Sequence, residues 1–300
     1  SKIQEHDSTN IFKQFKDLEG EIYSAEVHHI RHNAVILLDD EGNELVLPKS
    51  EQIRSDFFRK GDSVRGVIKT VELRGTKPAI ILSRTSPEFL VKLFEQEIPE
   101  VFDGLITIEG VARIPGEKAK IAVDSYDDRI DPVGACVGMK GSRIHGIVRE
   151  LGNENIDVIN YTKNEQLYIA RALSPAKIVS MEIKPAEEVV DGKKGRVDVY
   201  LKPEEVSKAI GKGGVNIRLA SQLTGYEIDV QREGIEDEDV ELTEFVDEIE
   251  DWVIDELKKI GLDTARSVLE KDVQELLKRT DLEEETILEV QRVLKEEFED

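Results

Sequence analysis

One cysteine, Cys136, stands in 300 residues, so no internal disulfide can brace the chain, and a reducing, cytoplasmic setting is expected. Three of the five histidines, His28, His29 and His32, fall in one stretch, but no Cys-x-x-Cys accompanies them; neither a metal nor any other cofactor is expected. No window approaches the run of about eighteen uncharged apolar residues that a membrane span needs, and the first residues lack the apolar core of a signal peptide, so no membrane association is expected. The phosphate loop Gly-x-x-x-x-Gly-Lys-Ser/Thr is missing, which leaves ATP hydrolysis unsupported. Nothing in the chain pairs a nucleophile with a base, and no catalytic residue is expected. The only methionines are Met139 and Met181 and the chain opens on Ser1, which reads as a piece of something longer.

What is present is a soluble, foldable composition, 39% hydrophobic and 35% charged, with a net charge of -23. Such a charge ordinarily argues against nucleic acid, whose phosphates are met by clustered Lys and Arg. The distribution overturns the average: residues 1–103 carry -5, residues 104–232 carry 0, and residues 233–300 carry -18. An acidic appendage therefore follows a neutral middle that has to be judged by itself.

The first seventeen residues, polar with a small apolar patch at Ile11, Phe12 and Phe15, read as a helix tail or linker. From Leu18 the pattern is strands: Glu21 to Ile30 alternates, Ala34 to Asp39 is an apolar run, a turn at 41–43 precedes Glu44 to Leu47, and Ser63 to Leu73 reverses at Gly75 into Pro78 to Ser83. Five short strands in about seventy residues predict a closed barrel, because closure removes exposed edges. Ser86-Pro87 is a helix start, and Phe89, Leu90, Leu93, Phe94 and Ile98 follow at helical spacing up to Pro99, predicting a helix between domains. Phe57 and Phe58 lie in the loop before the fourth strand, and core packing is expected of at least one.

The strongest internal signal is a repeat. Val133 to Ile144 aligns without a gap on Val206 to Ile217, Gly152 on Gly225, and Ile156-Asp-Val158 on Ile228-Asp-Val230. Each copy reads helix, Gly-x-x-Gly, helix, Gly turn, strand. Glycines three apart allow a tight turn and a close backbone approach, and the start of the next helix offers free N–H groups and the positive end of a dipole. A phosphate is the expected ligand. In the first copy the candidates are Gly138, Met139, Lys140, Gly141, Arg143 and Ile144. In the second they are Gly211, Lys212, Gly213, Gly214, Asn216, Ile217 and Arg218. Lys140, Lys212, Arg143 and Arg218 would meet phosphates, with bases over the apolar residues beside each loop.

Ala209-Ile-Gly-Lys-Gly-Gly-Val-Asn-Ile217 resembles a KH signature, and Cys136-Val-Gly-Met-Lys-Gly-Ser-Arg-Ile144 resembles a second. Gly61 to Ile68 with Ala79 to Arg84 resembles the closing strands of an S1-type barrel. One such barrel followed by two adjacent KH domains is similar to the NusA family of transcription elongation, termination and antitermination factors. The resemblance implies a multidomain α+β chain: a helix or linker tail at 1–17, an S1-type OB-fold β-barrel at 18–85, a linker helix at 86–103, KH α/β domains in tandem at 104–177 and 178–232, and an acidic helical C-terminal segment at 233–300. It implies a non-catalytic factor that holds nascent single-stranded RNA and acts with RNA polymerase, contacted mainly by a missing N-terminal domain, and with other elongation or termination factors.

Where many S1-type domains expose aromatic residues, Arg31 to Leu38 has none, and His28, His29 and His32 stand in their place. In the acidic segment, Glu236 to Glu256 sets Phe245, Ile249, Trp252, Val253 and Leu257 at helical spacing. Residues 260–269 and 281–288 resemble helix-hairpin-helix units; their charge would repel a duplex, so a protein partner is the expectation, beside a plain solubilising cap. Two other readings were open: a ribosome-assembly or translation-associated RNA-binding factor, and a polynucleotide phosphorylase, whose KH and S1-type domains come in the reverse order.

Overall fold

The computed structural model describes residues 2–233 and 239–298. The chain forms two compact units, one of residues up to 199 with 204–230, the other of residues 200–203 with those from 231 onward.

The first unit opens with α1 (Lys2–Lys16) and a closed barrel of β1 (Ile22–Ile30), β2 (Ala34–Leu38), β3 (Glu44–Pro48), β4 (Ser63–Arg74) and β5 (Lys77–Ser83), joined in the order β1-β2-β3-β5-β4. All neighbours are antiparallel except β3 and β5, which meet in parallel at Val46 and Ile81. The alternation in the sequence aims Val27, Val35, Leu37, Leu45, Leu47, Ile68, Ile80 and Leu82 inward. Phe15 of α1 is fully buried in the same core. The N-terminal helix thus seals the barrel, whereas the sequence suggested only a tail; burying one such ring contributes about 1.5–3 kcal/mol. A Cβ at Gly66 of β4 would lie 2.7 Å from the Ser83 carbonyl oxygen, so the β4–β5 approach requires glycine there.

Helix α2 (Pro87–Glu97) starts where the sequence placed it: Ser86 Oγ accepts the Glu88 amide at 3.3 Å, with Pro87 at the first position. It is followed by α3 (Pro99–Phe102). Phe89, Leu90, Leu93, Phe94 and Ile98 are all fully buried, in one cluster with Ile53 and Val67 of the barrel and Ile106, Ile121, Cys136, Ile147 and Leu151 beyond it. The helix is therefore a shared core element rather than a solvated connector.

Next come β6 (Ile106–Ile114), β7 (Lys118–Ser125), α4 (Pro132–Val137), α5 (Ile144–Glu150) and β8 (Asn155–Asn160). In this sheet β7 is central, antiparallel to β6 and parallel to β8. After α6 (Glu165–Ala172) the theme recurs as β9 (Ser180–Val190), β10 (Lys193–Leu201), α7 (Pro203–Ile210), α8 (Val215–Thr224) and β11 (Tyr226–Arg232), with β10 central. The two repeats are docked. At Gly110 of β6 a Cβ would come 3.0 Å from both Leu223 of α8 and Tyr168 of α6, and Tyr168 Oη donates to the Leu223 carbonyl at 3.4 Å.

Buried charges join barrel and first repeat. Arg84 Nε donates to Asp56 at 2.8 Å, Nη1 to the Arg65 carbonyl at 2.6 Å and to Glu150 at 2.9 Å, and Nη2 to the Glu150 carbonyl at 2.8 Å. Burial opposes its charge, but Asp56 and Glu150 outweigh that and raise its pKa. Deeper still, Arg113 Nε donates to both Glu154 oxygens at 3.1 and 2.9 Å, and its Nη1 reaches the Ser86 carbonyl at 2.8 Å.

The second unit holds α9 (Asp251–Lys259), α10 (Ala265–Leu269), α11 (Val273–Arg279) and α12 (Glu284–Glu296) around a core that includes Leu242, Phe245, Val253, Leu257, Leu276, Val290 and Leu294. The helix expected over Glu236 to Glu256 is shorter than its spacing suggested. Residues 236–238 lie outside the described residues, Leu242–Phe245 is a single 3-10 turn, and the α-helix begins at Asp251. Phe245 and Ile249 still enter the core, from that turn and the bend after it, while Trp252 is half exposed and bonds to Glu250. Thr264 and Ser267 form a reciprocal cap at the start of α10, and Asp272 caps α11.

Candidate nucleic-acid interface

Both Gly-x-x-Gly segments are tight turns between two helices, α4 to α5 and α7 to α8. Their first glycines, Gly138 and Gly211, share one conformation, φ 76° and ψ 170°. Neither could be another residue. Beyond the positive φ, a Cβ at Gly138 would lie 2.9 Å from the Arg143 amide nitrogen, and one at Gly211 would lie 2.7 Å from Asn216 Cβ. The far side of each turn is different: at Gly213 and Gly214 no atom lies within 4 Å of a built Cβ, and at Gly141 only Ile144 Cγ2 does, at 3.9 Å. The first glycine seats the turn on its own helix, and the last leaves an open face that another backbone can approach.

Several amides are used inside the turns. Gly141 N–H bonds to the Gly138 carbonyl, Ser142 N–H to Met139 and Arg143 N–H to Val137; Gly214 N–H bonds to Gly211. These N–H groups close the turns, and the exposed positive charge beside them is carried by side chains. Lys140 and Lys212 are both exposed, as is Met139 at 84%. The two lysines are not equivalent. Lys140 aligns with Gly213, and both sit in left-handed backbone, φ 56° and 65°; Lys212 aligns with Met139.

Two of the candidate RNA-binding side chains are turned inward, one of them, Arg143, an expected phosphate contact. Arg143 Nη1 donates to Glu100 at 2.6 Å and to the Ala135 carbonyl at 2.9 Å. Asn216, its counterpart in the repeat, is buried, and its Nδ2 donates to the carbonyls of Ala209 at 3.0 Å, Lys208 at 3.2 Å and Leu173 at 3.2 Å. Ala135 and Lys208 are themselves repeat partners, so both side chains do one job, fastening the second helix to the carbonyl end of the first. The Glu100 carboxyl is held below its ordinary range, first by its own backbone amide and then by Arg143. Arg218 stays outward, with a 3.3 Å bond to the Gly213 carbonyl. Ile144 and Ile217 are partly buried beside their turns. Cys136 is fully buried, and burial pushes its thiol up to about 12, which makes it inert.

Other residues come close that the motif did not name. A cleft of about 690 Å³ beside the second turn is lined by Lys212, Gly213 and Arg218 and, from the first repeat, by Glu117, Lys118 and Asn155. Beside the first turn, His145 and Arg149 line a groove of about 440 Å³ on α5. His145 was legible, since it aligns with Arg218 in the repeat; Lys118 was not, because it comes from a distant strand. On the barrel, Phe57 is 76% exposed with the Arg59 guanidinium 5.7 Å from its ring centre. Phe58 packs on the barrel core.

Two α/β units with the same strand order, the same glycine turn and the same helix fastener define a tandem KH protein. Comparison with known families agrees: residues 84–161 match the NusA-like first KH domain, and residues 165–238 match the NusA-like second KH domain. The chain is 36% identical to the transcription termination/antitermination protein NusA of Thermus thermophilus, over 82% of this chain and 62% of that protein. It is 38% identical to the protein of the same name from Halalkalibacterium halodurans, over 77% of this chain and 59% of the relative. For Helicobacter pylori the identity is 40%, over 73% and 62%. The chain belongs to the NusA family. It spans about three-fifths of the length of these relatives.

Proposed function

We propose that this chain is the RNA-binding part of a non-catalytic transcription elongation, termination and antitermination factor. Nascent single-stranded RNA lies along the two KH units, with phosphates at Lys140, Lys212 and Arg218 and bases over the apolar flanks at Ile144 and Ile217. The observation that carries this reading is the pair of glycine turns with the same first-glycine geometry, each closed on its own helix, open on its far side, and bearing an exposed lysine. Gly138, Met139, Gly141, Gly211, Gly213 and Gly214 shape that open side, and Arg143 and Asn216 fix it from behind. The relatives' name favours transcription over ribosome assembly.

The domain limits that accompany this reading are those of the sequence: a barrel at 18–85, KH domains at 104–177 and 178–232 joined through 86–103, and an acidic helical region from 233. The strand order β1-β2-β3-β5-β4 supports an S1-type OB-fold for the barrel. The acidic region supports docking of a protein partner through the helix-hairpin-helix-like pairs α9–α10 and α11–α12. RNA polymerase is engaged mainly by parts of the family's chain outside these residues. No helix among the described residues is long and apolar enough to cross a membrane, in keeping with a cytoplasmic factor.

The test is fluorescence anisotropy of a labelled single-stranded RNA with the parent and with a variant carrying aspartate at Met139, Lys140, Lys212 and Gly213. Aspartate tolerates the left-handed backbone at 140 and 213, so circular dichroism should be unchanged. Binding should fall at least tenfold, about 1.4 kcal/mol. Equal binding by a folded variant would make the turns architectural and sink the proposal.

A further inference from the structure

The two KH turns differ in what the neighbouring element brings to them. At the first, the fastening residue Arg143 is met by a carboxylate, Glu100, at 2.6 Å. At the second, the fastening residue Asn216 is met by a cation from the other KH domain: Lys118 Nζ lies 3.3 Å from Asn216 Oδ1. That ammonium is held at the start of α8, on the wall of the 690 Å³ cleft that Lys212, Gly213 and Arg218 also line. Lys118 and the fully buried Lys120 share one carboxylate, Asp157, at 3.2 and 3.1 Å. Asp157 is thus shared between two ammonium groups, and the residues lining the cleft carry three cations, Lys118, Lys212 and Arg218, against the exposed carboxylate of Glu117.

We propose that Lys118 of the first KH domain completes the phosphate seat of the second KH turn, so that one phosphate of a bound single-stranded RNA is shared by Lys118, Lys212 and Arg218 across the domain junction. This rests on the RNA-binding reading above. The consequence is asymmetry: the second turn is the stronger seat, and it depends on the first domain being docked against it, which the contacts around Gly110, Tyr168 and Leu223 secure.

The test uses the full chain with a labelled single-stranded RNA long enough to span both turns, titrated over a salt series. Lys118→Met keeps the aliphatic stem and leaves Lys120 and Asp157 as a balanced pair. Affinity should fall about fivefold at low salt, and the slope of log K against log salt should shrink by about 0.7, the loss of one phosphate contact on a single strand. Lys118→Arg should restore both. Glu117→Gln removes the opposing charge from an exposed side chain and should tighten binding about twofold at low salt. If Lys118→Met lowers the melting temperature, the Glu117→Gln arm decides alone. Unchanged affinity and slope in these variants, beside loss of binding in the aspartate variant of the turns, overturns the shared seat and leaves the RNA reading standing. If the aspartate variant also binds normally, the RNA reading itself fails and the shared seat with it.

Discussion

Arg84 offers the sharpest test of what holds barrel and first KH domain together. Its side chain is 7% exposed and donates five hydrogen bonds, to Asp56, Glu150 and two backbone carbonyls. Arg84→Met preserves the stem and removes the guanidinium. Breaking one side of a buried ion pair costs about 3–5 kcal/mol, because the partner charges stay buried. Here both partners retain support: Asp56 still accepts the Ile53 amide at 2.9 Å, and Glu150 still faces Arg65 at 3.4 Å. The lower bound applies, about 3 kcal/mol, or about 6–12 °C for a unit of this size. Urea unfolding followed by far-UV circular dichroism reads it, and the fluorescence of Trp252, the only tryptophan and a residue of the second unit, serves as an internal reference. Adding Asp56→Asn to Arg84→Met should recover part of the loss, since one buried charge is then removed. A loss below about 1 kcal/mol in Arg84→Met would refute the clamp and put the junction's stability in the Phe89–Phe94 core instead.

Lys140 occupies left-handed backbone at φ 56°, so Lys140→Gly should stabilise the chain by about 0.5–1 kcal/mol while weakening RNA binding, opposite signs in melting and anisotropy experiments. Glu51 is nearly buried; burial alone would raise its carboxyl pKa, but Lys69, Ser83 and Thr85 outweigh it and the pKa is lowered. Its contribution is therefore complete above the unfolded value of about 4.3 and is lost as pH falls through the lower folded value. In a pH series of urea midpoints, Glu51→Gln should flatten the acid side; an unchanged acid limb would remove Glu51 from the account.

The residue pattern alone determined much of this protein. Period-two alternation fixed which barrel residues face inward, Ser86-Pro87 fixed the start of α2, and the repeat fixed two equal glycine turns, because each of these signals is local in the chain. It also isolated the acidic C-terminal segment by charge. The roles of individual cations were decided elsewhere. Arg143 and Arg218 look alike in sequence, yet one is turned inward by Glu100, 43 residues away, and the other stays outward on the Gly213 carbonyl. Asn216 became a fastener because the last carbonyls of α7 lacked donors. Phe15 became barrel core, Trp252 stayed on the surface, and Lys118 reached the second turn only through the docking of two sheets and their helices. Short-range periodicity specifies elements and the faces they bury. The partner a charged side chain meets is a property of distant segments brought together, and no spacing within the chain encodes it.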